Sequence, residues 1–112
     1  MKLAVPTTDG ALCSHFGHCK QFALIEVNEQ TKEVGETVYL TPPPHEPGVL
    51  PRWLHEQGAN VVVSGGMGQR AVQMLSDRGV SVILGVQGGT PAEIADSYLA
   101  GTLLGGANIC DH

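Results

Sequence analysis

Two short segments of the chain hold all three of its cysteines and three of its five histidines. Thiolate sulfur and neutral imidazole nitrogen are the protein ligands of zinc, copper and iron–sulfur centres, whereas oxygen ligands suit magnesium and calcium. The spacing differs from the paired C-x2-C knuckles of structural zinc sites. The sequence therefore predicts a site for a soft metal or a metal–sulfur cluster. The candidate ligands are Cys13, His15, His18 and Cys19 in one segment and Cys110 and His112 in the other.

The first segment cannot offer all of its side chains to one centre. His18 and Cys19 are neighbours, so on an extended backbone they point to opposite sides and one of them at most joins a shared site. We favour His18 with His15, because a tight turn at Gly17 would let the two rings converge. Cys19 precedes a predicted strand and is either a ligand or a core residue.

The remaining candidate ligands also have two interpretations. Cys110 and His112 are two residues apart, which places both side chains on one side of an extended segment, as a pincer requires. The alternative is a frayed chain end. His45 follows three prolines and is either a further ligand at a loop tip or a solvated loop residue.

Glycine, proline and hydrophobic periodicity divide the chain into the elements that must position these residues. Predicted strands cover 2–5, 21–28, 33–40, 61–63 and 80–86, and predicted helices cover 49–58, 69–79 and a segment that begins at a Thr90 capping box. The strands at 61–63 and 80–86 are expected to be buried. A hairpin followed by alternating strands and helices predicts an α/β fold, a mixed sheet with helices on both faces, in one domain over residues 1–112.

A glycine-rich turn is the second candidate binding feature. In open α/β sheets the ligand crevice lies beyond the carboxyl ends of the parallel strands. If strands 2–5 and 61–63 are adjacent and parallel, the cysteine segment and this turn lie at the same edge. Helix N-terminal amides attract anions, so the turn is either an anion cradle or a tight strand-to-helix connection. Its residues are Ser64, Gly65, Gly66, Met67 and Gly68, followed by Arg70. Met67 is expected to fill the core rather than to bind.

Composition and motifs weigh against several function classes. The net charge is −5 and the six lysines and arginines are scattered, which disfavours nucleic acid as a partner. No apolar run approaches the roughly 20 residues of a membrane span. The N-terminal residues do not form a signal peptide, so we expect a cytoplasmic protein with reduced thiols. The turn lacks the phosphate-loop lysine and the serine nucleophile motif, and paired carboxylates lie in different elements, so no catalytic residue is assigned.

The sequence resembles the dinitrogenase iron–molybdenum cofactor biosynthesis family along nearly its whole length. That family groups NifX-like domains with the C-terminal domain of NifB proteins and with the molybdenum–copper orange protein. The motifs that carry the resemblance are Ser14-x-Phe16-Gly17-His18-Cys19, Pro44-His45-x-x-Gly48-Val49-Leu50-Pro51-x-Trp53-Leu54, Ser64-Gly65-Gly66-Met67-Gly68-x-Arg70-Ala71, and Tyr98-Leu99-Ala100-Gly101-Thr102-Leu103 with Cys110-Asp111-His112.

The resemblance implies an RNase H-like fold with a mixed five-stranded sheet and no nuclease chemistry. It also implies binding of an iron–molybdenum, molybdenum–copper or iron–sulfur cluster, with Ser14, Phe16 and Gly17 and the glycine turn around the cofactor. The expected function is a non-catalytic cluster carrier, a monomer or weak homodimer, which exchanges its cargo with donor or acceptor proteins. The alternative is an interaction or regulatory module that binds incidental zinc, or a small anion or nucleotide at the glycine turn.

Overall fold

A computed structural model describes residues 1–13, 19–44, 48–86 and 88–101 of the chain. The predicted ligands and cofactor-binding residues in 14–18, at 45 and in 102–112 lie outside these ranges. The elements are β1 (Lys2–Thr8), β2 (Ala11–Leu12), β3 (Gln21–Asn28), β4 (Glu33–Leu40), α1 (Val49–Glu56), β5 (Val61–Val63), α2 (Gln69–Asp77), β6 (Ser81–Ile83) and α3 (Pro91–Ala100).

The strands form one mixed sheet in the order β4-β3-β1-β5-β6. β1, β5 and β6 are parallel, and β3 pairs antiparallel with both β1 and β4. The α/β class, the 21–40 hairpin and the parallel pairing of the first strand with the Val61 strand are thereby confirmed. Within the described residues the sheet has six strands, one more than the sequence predicted, because β2 pairs antiparallel with the end of β1.

The additional strand follows a two-residue hairpin. Asp9 and Gly10 join β1 to β2, and their φ angles are 56° and 82°. A two-residue loop with positive φ at both positions matches the twist of the flanking strands, and Asp-Gly is a preferred sequence for it. Thr8 consequently lies opposite Ala11, and Thr7 opposite Leu12. The first strand therefore runs past Pro6 to Thr8, three residues further than predicted.

Helices cover both faces of the sheet, as predicted, because the side chains of a strand alternate between its two faces. We call the apolar cluster between the sheet and α3 the α3-side core, and the cluster between the sheet and the helices α1 and α2 the α1/α2-side core. Members of the α3-side core are Leu3, Val5, Ala23, Ile25, Val27, Val61, Val63, Val86, Ile94, Ala95 and Leu99. Members of the α1/α2-side core are Ala4, Phe22, Leu24, Leu50, Leu54, Ala59, Val62, Met67, Leu75 and Val80.

The last strand differs from the prediction of a buried strand over 80–86. β6 comprises three residues, of which Ser81 is exposed and Val82 and Ile83 are half-buried. The reason is its position at the edge of the sheet, where one of its sides has no neighbouring strand among the described residues. By contrast, all three residues of the more central β5 are buried, as its wholly apolar sequence predicted. An apolar run of this kind does not distinguish a central strand from an edge strand.

The start of α3 agrees with its sequence signal, whereas α1 and α2 each end two residues before the predicted glycine, because Gly58 and Gly79 have positive φ angles and lie outside the helices. The side chain of Thr90 accepts a hydrogen bond from the backbone of Glu93, and the Glu93 carboxylate accepts one from the backbone of Thr90. This reciprocal capping box, with Pro91 in the first turn, fixes the start of α3. None of the helices in the described part of the chain is long and apolar enough to cross a membrane.

Candidate metal-cluster site

The two described cysteines flank the carboxyl end of β1. The amide of Cys13 donates to the Pro6 carbonyl over 2.8 Å, and the amide of Lys20 donates to the Thr7 carbonyl over 3.1 Å. Successive carbonyls of a strand point in opposite directions within the sheet. Cys13 therefore lies on the β5 side of β1, and Cys19 enters from the β3 side. The two cysteines that bound the ligand-rich segment therefore lie at the same end of β1.

Further contacts tie this segment to both faces of the sheet. Leu12 packs against the α3-side core, and its amide donates to the Gly89 carbonyl over 2.9 Å, just before α3. Cys19 is half-buried and packs against the α1/α2-side core, which contains Met67. The cysteine segment is consequently tied to the loop before α3 and to the α1/α2-side core. Sequence reasoning missed the contributions of Thr7 and Gly89, although the Asp9-Gly10 dipeptide signalled the hairpin that places Leu12 near Gly89.

Burial makes the Cys19 thiol harder to ionise. Removal of the side chain from water raises the pKa of its thiol to about 12, and the Cys13 thiol contributes to the rise electrostatically. A neutral thiol is therefore the stable form at neutral pH in the metal-free protein. Because a metal binds the thiolate, binding at Cys19 must displace its proton. A cation at this edge would also offset the desolvation of the sulfur.

The turn after β5 is mostly part of the packed interior. Ser64, Gly65, Gly66 and Met67 are all buried. The Ser64 hydroxyl donates to the Gly66 carbonyl over 3.0 Å, and the Gly65 carbonyl accepts from the Gly85 amide over 3.0 Å. These bonds are typical of a tight strand-to-helix connection, one of the two interpretations open at the sequence level. Met67 fills the α1/α2-side core, as expected.

The end of this turn remains open to solvent. Gly68 is the N-cap of α2 and is exposed, and as a glycine it has no side chain that could accept from the first-turn amides. Arg70, in the first turn of the helix, is also exposed. Helix N-terminal amides and a guanidinium group both favour an anion. The part of the turn that an anion in solution could reach is thus the Gly68–Arg70 end.

The structure brings some of the predicted site residues together. Cys13, Cys19 and the turn from Gly65 to Arg70 share the carboxyl edge of the parallel strands. Within the residues that the structure describes, no three histidine, cysteine, aspartate or glutamate side chains form a group that could hold a metal ion. The described cysteines would therefore need further ligands. The predicted ones, which lie outside the described residues, are His15, His18, His45, Cys110 and His112.

Comparisons with known proteins identify relatives of similar length. The family model of the dinitrogenase iron-molybdenum cofactor matches residues 1–101. The chain is 27% identical to PH0822, with a TM-score of 0.85 over 94% of each chain. It is 25% identical to the apo form of the orange protein from Desulfovibrio gigas, with a TM-score of 0.71 over 96% of this chain and 93% of that one. MJ0327 from Methanocaldococcus jannaschii shares the fold, with a TM-score of 0.74 at 14% identity over 96% of each chain. No curated protein sequence matches the chain.

Proposed function

Because the chain belongs to the dinitrogenase iron-molybdenum cofactor family, we propose that it is a small binding and carrier protein for a metal–sulfur cluster or its precursor. The cargo is an iron–molybdenum or molybdenum–copper sulfur cluster, or an iron–sulfur cluster. The chain binds this cargo without catalysing its assembly. It acts in the cytoplasm as a monomer or weak homodimer with an RNase H-like arrangement, and exchanges the cargo with donor and acceptor proteins.

The observation that carries the proposal is the shared edge of β1 and β5. Because the two strands are parallel, the end of β1, around which Cys13 and Cys19 lie, and the turn that follows β5 belong to the same edge of the sheet. A sulfide-rich cluster contains thiophilic metals, which soft ligands bind, and has a negative overall charge, which a helix N-terminus attracts. The similarity to the orange protein supports the same class of cargo.

The buried thiol gives a physical basis for reversible binding. The desolvation that raises the pKa of Cys19 favours its protonated form over the thiolate in the empty site. Proton binding therefore competes with metal binding, and this competition lowers the net affinity below that of an exposed thiolate. A carrier needs such a limit, because a cluster that is bound too tightly cannot be passed to an acceptor.

The test is anaerobic reconstitution of the full chain with iron, sulfide and molybdate, and in parallel with copper and thiomolybdate. Visible absorbance and metal analysis are the readouts. We expect a coloured protein with about one cluster per chain or per dimer. Cys13→Ala and Cys19→Ala should each weaken cluster retention by at least about tenfold, since loss of supporting groups alone commonly costs 10–100-fold.

His55→Ala is the matched control for these variants. His55 lies in the last turn of α1 and is exposed, and histidine is a residue that commonly binds metals. The chain after α1 returns to the start of β1, where the Asn60 amide donates to the Lys2 carbonyl, so His55 lies toward the opposite edge of the sheet. Its substitution should leave cluster retention unchanged. A colourless product in every reconstitution would contradict the carrier function, and stoichiometric zinc without a cluster would favour the interaction module.

A further inference from the structure

The two edges of the sheet differ in how well they are protected against pairing with another chain. The edge strand β6 has three residues, whereas the opposite edge strand, β4, has eight. Within the described part of the chain, β4 pairs with β3 alone. The outer side of β4 therefore presents a row of backbone donors and acceptors. A long edge of this kind is a template for strand addition.

Exposed apolar side chains coincide with this edge. Val38 and Tyr39 are 43% and 46% exposed, and they are the exposed large hydrophobic side chains of the described residues. They are consecutive in β4, so they lie on opposite faces of the sheet. An added strand would cover part of both side chains, because directly opposite residues of paired strands lie within contact distance.

A groove continues from this edge across the face that carries α1 and α2. It has a volume of about 460 Å³, and Leu24, Val38 and Leu40 form its apolar part. Val38 lies opposite Leu24 in the β3–β4 pair, so the apolar surface is continuous from the inner strand to the edge. Glu26, Glu36, Lys2 and Gln57 also line the groove. The Glu26 carboxylate lies 3.6 Å from the terminal ammonium of Met1, and Lys2 Nζ lies beside Gly58, so Glu36 is the groove carboxylate that belongs to the edge strand. The strand β4 itself contains two glutamates, Glu33 and Glu36, and no lysine or arginine.

We propose that the outer edge of β4 accepts an extended, basic segment of a partner protein as an additional antiparallel strand. Opposite Leu40, Val38 and Glu36, the partner presents two apolar residues and then a lysine or arginine, each separated by one residue. The backbone of β4 supplies the generic affinity, the groove selects the apolar pair, and Glu36 selects the cation. Antiparallel pairing is assigned because it is the more stable arrangement per residue.

A second copy of the chain fits this edge less well. The cation nearest to Glu36 in sequence is Lys32. When the β4 strands of two copies pair antiparallel with Lys32 opposite Glu36, the two-fold axis passes through Val34. That register sets Val38 opposite Gln30 and Leu40 opposite Asn28, so the groove gains no apolar partner. A register centred on Tyr39 pairs Val38 with Leu40 but places Pro42 opposite Glu36. Charge and apolar complementarity are therefore not met together in a β4 pair.

The docked segment would end near the candidate cluster site. Leu40 lies opposite Phe22, and Phe22 lies opposite Pro6, whose carbonyl accepts from the Cys13 amide. A strand added to β4 is thus separated from β1, whose end carries the cysteines, by the two strands β4 and β3. The docking inference itself depends on β4 and its groove, and stands whether or not a cluster binds.

The probe is the peptide acetyl-Thr-Val-Thr-Val-Thr-Lys-Thr-amide, titrated into the full chain and followed by amide chemical shifts and hydrogen exchange. We expect shifts and new exchange protection in β4 and at Leu24. A peptide with glutamate in place of lysine should bind about fivefold more weakly, since attraction at Glu36 is replaced by repulsion. The Glu36→Lys variant should reverse that preference. A lysine peptide with methylated backbone nitrogens should not bind.

Several outcomes would overturn the proposal. One is the absence of peptide binding to the full chain. Another is binding whose preference does not reverse in Glu36→Lys, because the proposed register would then be wrong. If the free chain already protects the β4 amides as well as those of β1, another part of the chain covers the edge. If sedimentation shows a dimer that Val38→Lys dissociates, the occupant is a second copy.

Discussion

The two loops at the carboxyl edge of the parallel strands use their polar groups in different ways. In the turn after β5, Ser64 and Gly65 form hydrogen bonds within the protein, and Met67 fills the core. In the segment after β1, the backbone amides of Cys13 and Lys20 are fixed on β1, while the Cys19 side chain packs against the α1/α2-side core and Cys13 is half-buried. The first loop therefore positions a helix, and the second positions side chains. The proposed cluster binding would therefore depend mainly on the second loop.

The largest expected effect is on stability and comes from the turn after β5. Met67→Ala removes a side chain that is 1% exposed within the α1/α2-side core. We expect the free energy of unfolding to fall by about 2–5 kcal/mol, the usual range for such a truncation. Urea denaturation of the metal-free protein measures this change. Met67→Leu, which nearly conserves volume, should cost less than about 1.5 kcal/mol. An equal loss in both variants would contradict a packing role.

A smaller effect should distinguish the cysteines by their response to alkaline pH. The folded-state pKa of Cys19 is raised from 9.0 to about 12, so the thiol contributes stability that is complete below pH 9. Between pH 9 and 12 the unfolded chain releases this proton first, and the free energy of unfolding should fall. Cys19→Ala should show a shallower decline than the parent protein over this range, by urea denaturation at several pH values.

Cys13→Ala is the matched variant for this experiment, and it should have two effects. It should retain most of the alkaline decline, because burial is the principal cause of the raised pKa at Cys19 and the Cys13 thiol contributes less. It should also make the decline slightly shallower than in the parent. If Cys19→Ala declines as steeply as the parent protein, the thiol of Cys19 is more solvated than its packing indicates.

The smallest expected effect is at the exposed end of the turn before α2. Arg70→Gln should change the free energy of unfolding by less than about 0.5 kcal/mol, as for other exposed surface positions. Its effect on binding of thiomolybdate should be a few-fold loss that shrinks at high salt, since exposed charges contribute at most about 1 kcal/mol and are screened. Titration at two ionic strengths provides the measurement. A salt-independent loss would indicate that Arg70 acts by shape rather than by charge.

Much of the fold could be predicted because its signals are local. The Thr90-Pro91-x-Glu93 sequence encodes a helix start through hydrogen bonds between residues three apart. The wholly apolar Val61–Val63 run indicated a strand, and its burial follows from its place between β1 and β6. The length of β6 could not be predicted, because burial of a strand depends on which strands lie beside it. The Asp9-Gly10 dipeptide is also a local hairpin signal, and β2 follows from it.

The candidate site was predictable in composition but not in its division of roles. The sequence by itself determined which side chains could bind a soft metal, and that a glycine-rich turn follows a buried strand. Tertiary structure decided that this turn is mostly interior and that Cys19 packs on the α1/α2-side core. The physical reason is that desolvation depends on all the atoms around a group. The neighbours that raise the pKa of Cys19 and bury Gly66 come from segments far apart in the chain.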